Sequence, residues 1–207
     1  GSGLVGSEMC IRDRYIVPLF GSTRDEAIRA RMSERLLARA PHVTDVPDGI
    51  LTAANACTMN DGAAFVALAS DDWVKAHGAR PMAEIKAVRA SGGDAACPPL
   101  MADKAVSQLL SREGLSYEDI DTFEYNEAFA VITADFMKRH PSVKERLNRW
   151  GGALAYGHPY GASGAEIMIH LMAILQQKNG RYGVCAIPAA GGVAEAILIE
   201  NKMGRDV

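Results

Sequence analysis

The sequence lacks an excess of charge of either sign and any long apolar run. Its 207 residues include 22 Lys or Arg and 25 Asp or Glu, which gives a formal net charge of −3. This balance gives no general attraction to phosphate backbones or anionic lipids, so we expect neither a nucleic-acid partner nor a membrane partner. No apolar run approaches the roughly 20 residues of a membrane span, and no signal peptide is evident. We therefore expect a soluble, cytoplasmic protein.

Cysteine is also scarce and scattered. The four cysteines, Cys10, Cys57, Cys97 and Cys185, form no CxxC pair and no Cys/His cluster with metal-ligand spacing. The sequence thus gives no indication of a zinc ribbon, another metal site or a disulfide framework. Isolated thiols in a chain of this size are typical of a reducing compartment.

The N-terminal residues differ in character from the rest. Gly1-Ser2-Gly3 resembles a cloning remnant, and residues 4–14 resemble translated sequencing-adapter read-through. We expect residues 1–14 to be an artefact, so that the natural N-terminus lies upstream. Residues 15–50 are predicted to be a lead-in segment with one helix, and residues 51–207 a single domain.

Hydrophobic periodicity predicts alternating strands and helices. The strand candidates are 63–69, 81–90, 120–125, 183–187 and 193–200, and the helix candidates are 24–39, a short helix capped by Ser70, and 98–113, 126–140 and 163–179. This alternation indicates an α/β domain with a mixed, mostly parallel five-stranded sheet and helices on both faces. The last two strands follow a short turn, so we expect an antiparallel pair at that edge.

Asn126 stands where a strand passes into a helix, in the stretch Asn-Glu-Ala-Phe-Ala at 126–130. One interpretation is that Asn126 caps the following helix, which is the commoner use of Asn at such a position. The other is an amide held at the carboxyl end of a strand, where open α/β sheets bind ligands. Such an amide could orient a water or polarise an oxyanion.

Residues 151–164 form a glycine-rich loop that contains His158 and runs into a helix whose predicted capping box is Ser163-x-x-Glu166. The glycines would let the backbone approach a ligand closely. Their spacing does not match a nucleotide-binding fingerprint, which disfavours a nucleotide-binding module. His158 lies between Gly157 and Pro159, a rigid setting that suits either catalysis or structure.

Four stretches, taken together, resemble the C-terminal half of the thiolases. They are TAANACTMNDGAA at 52–64, NEAFA at 126–130, GGALAYGHPYGASGA at 151–165 and YGVCAIPAAGGVAEAILIE at 182–200. The resemblance implies the thiolase-like fold and an acyltransferase that joins or cleaves 3-ketoacyl-CoA by Claisen condensation or thiolysis. It further implies coenzyme A thioesters as substrates with no tightly bound cofactor, a homo-oligomer, and an N-terminal half that carries the nucleophilic Cys.

The resemblance also assigns roles to individual residues. His158 would activate the nucleophilic Cys and contribute to an oxyanion hole, and Asn126 would position a water in a second one. The residues that would contact the substrate or coenzyme A are Cys57, Gly157, Pro159, Gly191 and Gly192.

Pro188 departs from the family pattern, because we place the second catalytic Cys at this position and proline has no thiol. Cys185 lies three residues away and should point to the opposite face of the strand. Two further functions therefore stay open: a thiolase-like acyltransferase without a proton-shuttling Cys, and a non-catalytic thiolase-like partner subunit.

Overall fold

The computed structural model describes residues 17–18, 20–23, 33–46 and 49–203. The predicted artefact at 1–14 and most of the helix predicted over 24–39 lie outside these residues. Within them, no helix is both long enough and apolar enough to cross a membrane.

Six α-helices and four strands are assigned in the described residues. The helices are α1 Glu34–Ala38, α2 Asp71–His77, α3 Met101–Glu113, α4 Ala130–Arg139, α5 Ala153–Tyr156 and α6 Ser163–Lys178; the strands are β1 Ala83–Gly92, β2 Thr122–Tyr125, β3 Tyr182–Ala189 and β4 Val193–Asn201. The predicted signals at α2 are confirmed: the Ser70 side chain accepts a hydrogen bond from Trp73, and Gly78 ends the helix in the left-handed region.

The sheet has the strand order β1-β4-β3-β2. β4 is antiparallel to both neighbours, whereas β2 and β3 are parallel. The sheet is mixed, as predicted, but the prediction that it is mostly parallel is wrong, because β4 lies between β1 and β3 and makes two of the three pairings antiparallel. The predicted antiparallel pairing of the last two strands is confirmed. Its placement at an edge is wrong, because β1 covers the outer side of β4.

The predicted fifth strand at 63–69 is not present. This segment has no regular secondary structure and pairs with no strand, and Phe65 is 92% exposed and Leu68 76% exposed. The fifth position of the sheet is instead a single parallel bridge between Phe123 and Leu147. An apolar run becomes a buried strand only where a neighbouring strand offers hydrogen bonds and cover, and the described residues offer neither to this one.

Helices pack on both faces of the sheet, as predicted. The core on one face joins α3 and α4 to β2 and β3 through residues such as Leu109, Phe123 and Phe136. The core on the other face packs α6 against β3 and β4 through residues such as Leu171 and Cys185. Helix α6 is largely buried along its length, because Ile167, Leu171, Ile174 and Leu175 are each no more than 1% exposed.

Candidate functional site at the carboxyl end of the parallel strands

Asn126 lies at the carboxyl end of β2, directly beside β3. Its backbone N–H donates to the Ala186 carbonyl at 2.9 Å, and its own carbonyl accepts from the Ala128 N–H at 3.0 Å. The residue is 2% exposed, and its side-chain amide takes part in no hydrogen bond between the described residues. A buried amide on a fixed backbone is thereby left for a ligand oxygen or a water.

Asn126 does not cap the following helix, so that interpretation is wrong. Helix α4 begins at Ala130, with Phe129 in the capping position. The residues between are held away from helical geometry, because the Ala128 carbonyl and the Ala130 N–H both bond to the segment at 55–57. This tertiary contact prevails over the local preference for a longer helix.

His158 is anchored by Ser163. Its Nδ1 atom lies 2.7 Å from the Ser163 hydroxyl, which leaves Nε2 as the nitrogen available to a reacting group. The predicted capping box at Ser163 is wrong, because Ser163 is already helical and its hydroxyl is turned back to His158. A hydroxyl can donate or accept, so it can hold His158 in either neutral tautomer.

The charge of His158 suits a general base. Partial burial lowers the pKa of the imidazole below its usual value. The ring is therefore neutral near pH 7 and can take a proton at Nε2 in one tautomer or donate one in the other. The Tyr160 ring lies next to it, with 4.8 Å between ring centroids.

The segment at 55–62 ties the Asn126 and His158 loops together. The Cys57 N–H donates to the Ala128 carbonyl, and the His158 N–H donates to the Thr58 carbonyl, both at 2.9 Å. Glycine is needed at Gly157, where φ is +94° and a Cβ atom would collide with the Asn60 side chain. Pro159 packs against Gly62 on the same side. Cys57, Gly157, Pro159 and His158 thus share one region.

Neither Cys57 nor Cys185 has the environment of a nucleophile. Burial raises the pKa of the half-buried Cys57 thiol, with a smaller contribution from Glu127. Burial also raises the pKa of Cys185 to about 12, with a contribution from Glu124. Both groups are protonated thiols at neutral pH, whereas nucleophilic cysteines have a lowered pKa.

Pro188 lies near the end of β3, where proline is tolerated. Residues two apart in a strand direct their backbone N–H and C=O groups to the same neighbouring strand. The backbone of Pro188 therefore points in the same direction as that of Ala186, whose carbonyl accepts from the Asn126 N–H. β2 has already ended at Tyr125, so the missing N–H breaks no ladder hydrogen bond. Cys185 packs against α6 whereas Ala186 packs in the opposite core, which agrees with the predicted difference in face.

Gly191 and Gly192 form the tight turn between β3 and β4. Their φ values are +87° and +75°, which disfavour other residues. A Cβ atom at Gly192 would lie 2.6 Å from the Asp94 carbonyl oxygen, so the turn docks closely on the loop after β1. The turn geometry and this close contact explain why both residues are glycine. Contact between Gly191 or Gly192 and the substrate stays a prediction.

Two glutamates beside Asn126 are buried. Glu124 is 0% exposed and neither carboxyl oxygen has a partner among the described residues. Burial, and secondarily Glu127, raises its pKa well above the usual value. Burial also raises the pKa of Glu127, although the Thr133 hydroxyl donates to it at 2.7 Å. In the described part of the chain, no group of His, Cys, Asp and Glu has an arrangement that could hold a metal ion.

Replacing Glu124 by Gln is expected to stabilise the chain at neutral pH. A raised folded-state pKa gives stability that is complete below the unfolded pKa, near 4.3, and declines as pH rises toward the folded value. We expect Glu124→Gln to be more stable than the parent by about 1 kcal/mol or more at pH 7, and nearly equal to it near pH 4. Urea denaturation at both pH values measures this, with the exposed Glu145→Gln as control. An equal gain at both pH values would contradict it.

Sequence reasoning missed three residues of this region. The sequence assigns Ser163 to a helix cap, and it singles out neither Ala186 nor Asn148, whose side chain bonds to the backbone of Tyr125. The Ser163 hydroxyl lies five residues after His158 and reaches it because the chain between them turns back. The sequence alone does not show that turn, so it gave no signal for this contact. Ala186 is found through its backbone contact with Asn126.

The fold and the site define an α/β domain whose polar loops meet at the carboxyl ends of two parallel strands. The chain belongs to the thiolase family: residues 79–201, more than half of it, match the family described as "Thiolase, C-terminal domain". It is 40% identical over 187 residues to the acetyl-CoA acetyltransferase of Saccharomyces cerevisiae, a match that covers 86% of this chain and 45% of the relative. A steroid 3-ketoacyl-CoA thiolase of Mycobacterium tuberculosis is 38% identical over 177 residues, covering 86% and 43% of the two chains.

Solved structures agree. The Acat5 thiolase of Ascaris suum in complex with coenzyme A superposes with a TM-score of 0.83 at 33% identity, over 96% of this chain and 53% of that one. The acetyl-CoA acetyltransferase of Bacillus anthracis gives 0.86 at 29% identity, over 97% and 54%. The chain therefore spans about half the length of the relatives that it matches.

Proposed function

We propose that this chain is half of a coenzyme A-dependent acyltransferase that makes or cleaves 3-ketoacyl-CoA. The observation that supports it most strongly is the His158–Ser163 pair, which leaves a neutral imidazole with a free Nε2 in a region that also contains Asn126. A base and a fixed amide are the groups that acyl transfer from a thioester needs. The nucleophilic thiol would come from the other half of the protein.

In the thiolysis direction, His158 would take the proton of that thiol. The thiolate would attack the 3-keto carbon, and the bond between C2 and C3 would break. The electron pair leaves with acetyl-CoA as its enolate, and the proton held by His158 would pass to C2 of that enolate. Coenzyme A thiol then attacks the acyl-enzyme, forms the shortened acyl-CoA and returns the thiol with its proton. Asn126 would hold a water that hydrogen-bonds to one of the two developing oxyanions.

A second candidate function is acyl transfer without carbon–carbon chemistry. It is favoured by Pro188, which supplies no proton to the enolate, and by Cys185, which is buried against α6. Transfer between thiols requires no acid or base at the α-carbon. A cysteine at Ala186, which shares a face with Pro188 and bonds to Asn126 through its carbonyl, is a further position to test.

A chimera with the yeast enzyme tests both functions. Residues 23–203 would replace the matching half of the yeast acetyl-CoA acetyltransferase, which supplies the other half. We expect the chimera to form an acyl-enzyme with acetyl-CoA, while the 207-residue chain alone cleaves no acetoacetyl-CoA. Under the proposed function the unaltered chimera also cleaves acetoacetyl-CoA with coenzyme A. Under the second candidate it does not, and thiolysis is gained in Pro188→Cys or Ala186→Cys.

The outcomes separate the alternatives. Thiolysis by the unaltered chimera would show that no second Cys is needed on this strand. Turnover by the chain alone would contradict an external nucleophile. A folded chimera that forms no acyl-enzyme would favour the non-catalytic partner subunit.

A further inference from the structure

Asn148 substitutes for a strand residue at the outer edge of β2. Leu147 makes the single bridge to Phe123, and the Asn148 N–H donates to the Phe123 carbonyl at 2.8 Å. The backbone then turns away, because φ of Asn148 is +42°, a value that Asn tolerates better than most residues. A regular fifth strand is thereby stopped after one residue.

The Asn148 side chain continues the ladder in place of the backbone. Its Oδ1 accepts from the Tyr125 N–H at 2.8 Å, and its Nδ2 donates to the Tyr125 carbonyl at 3.0 Å. A carboxamide has the same donor and acceptor as a peptide group, so this pair satisfies both polar groups of the last residue of β2. Aspartate cannot replace it at neutral pH, because an ionised carboxylate has no hydrogen to donate.

The same side chain contacts the two segments that carry the site. Tyr125 immediately precedes Asn126. Gly152, at the start of the loop that leads to His158, packs so tightly that a Cβ atom there would lie 2.7 Å from Asn148 Nδ2 and 2.6 Å from Glu127 Oε2. Asn148 therefore contacts both segments and holds them in a fixed position relative to each other.

We propose that Asn148 is a positioning residue, which fixes the orientation of the Asn126 amide relative to the loop that carries His158. The chemistry of Asn126 and His158 rests on the proposed function, but the positioning does not. It can be tested on the 207-residue chain without any measurement of activity.

The test follows the side-chain amide signals of Asn126 by NMR, assigned by their loss in Asn126→Asp. In Asn148→Asp the carboxylate still accepts from the Tyr125 N–H but faces the Tyr125 carbonyl with a second oxygen. We expect the Asn126 signals to shift by more than a line width at about pH 7.5. They should return toward the parent positions as pH falls toward about 4, the ordinary pKa of an aspartate, because the protonated carboxyl can donate again.

Asn201 offers a matched control. Its Nδ2 donates to the Gly180 carbonyl and its Oδ1 accepts from the Met203 N–H, both at 3.0 Å, at the opposite end of the sheet. Asn201→Asp makes the same chemical change in the same kind of bonding pair. We expect it to lower the melting temperature without moving the Asn126 signals at any pH.

A second variant, Asn148→Gly, keeps the test decisive if Asn148→Asp does not fold. Asn148→Gly removes the side chain and accepts φ of +42° without strain, so the backbone turn is kept. We expect the Asn126 signals to shift in this variant and acid not to restore them. The proposal is overturned if they stay in place in Asn148→Gly, or if Asn201→Asp moves them as much as Asn148→Asp does. Either result would leave the proposed acyl transfer untouched.

Discussion

Replacing His158 by Ala is expected to lower acyl-enzyme formation in the yeast chimera by roughly 100-fold or more. The thiol would lose the base that converts it to a thiolate, and Ser163, which pairs with Nδ1, is not basic enough to replace it. Intact-protein mass spectrometry after a timed reaction with acetyl-CoA measures the acylated fraction.

The same variant should keep its stability. The contact that docks the loop is the His158 N–H to the Thr58 carbonyl, and alanine preserves this backbone bond. We expect the melting temperature to change by no more than about 2 °C, the usual range for a partly exposed position. A variant that acylates at the parent rate but melts many degrees lower would identify His158 as a structural residue.

Replacing His170 by Phe is expected to remove most of the acid sensitivity of the fold. His170 lies on α6, packed edge-on against Trp150 and Tyr156, and its Nδ1 has no partner among the described residues. Burial lowers its pKa to about 4. When burial lowers the folded-state pKa of a basic group, the contribution of that group to the free energy of unfolding is complete above its unfolded pKa, near 6.5. This contribution is lost as pH falls toward 4.

The size of this loss is about 3 kcal/mol, since each pKa unit corresponds to about 1.4 kcal/mol. Phenylalanine keeps the aromatic contacts and cannot be protonated, so His170→Phe should be at least as stable at pH 4.5 as at pH 7. Glu124 acts in the opposite direction over part of this range, so the parent chain shows the net effect. Urea denaturation at four pH values, with the exposed His77→Phe as control, measures the slopes. Parallel slopes for His170→Phe and the parent would contradict the assignment.

Local signals in the sequence located most of the regular elements. Ser70 and Gly78 bound α2, and Gly114 ends α3 in the left-handed conformation, because caps and glycine stops act within a few residues. The periodicity of α6 was equally informative. The order of the strands was not, because a hairpin pattern fixes the pairing of β3 with β4 but says nothing about which strand covers the other side of β4.

The candidate site shows the same division. Asn126 could be selected from the sequence because it follows a predicted strand, and His158 because its loop is rich in glycine. Their surroundings could not: the helix after Asn126 begins four residues later than the pattern predicts, because Asn55 and Cys57 bond to the intervening backbone. Ser163 likewise does not cap its helix, because its hydroxyl bonds to His158 instead.

The sequence by itself determined the α/β class, the boundaries of most elements and the family, since these depend on periodicity, caps and motifs that are local in the chain. Only the tertiary structure decided that 63–69 stays unpaired, that Asn148 ends the sheet with its side chain, and that the segment at 55–58 joins the loops of Asn126 and His158. Each of these outcomes depends on whether a donor or acceptor far away in the sequence is available, and no local pattern contains that information.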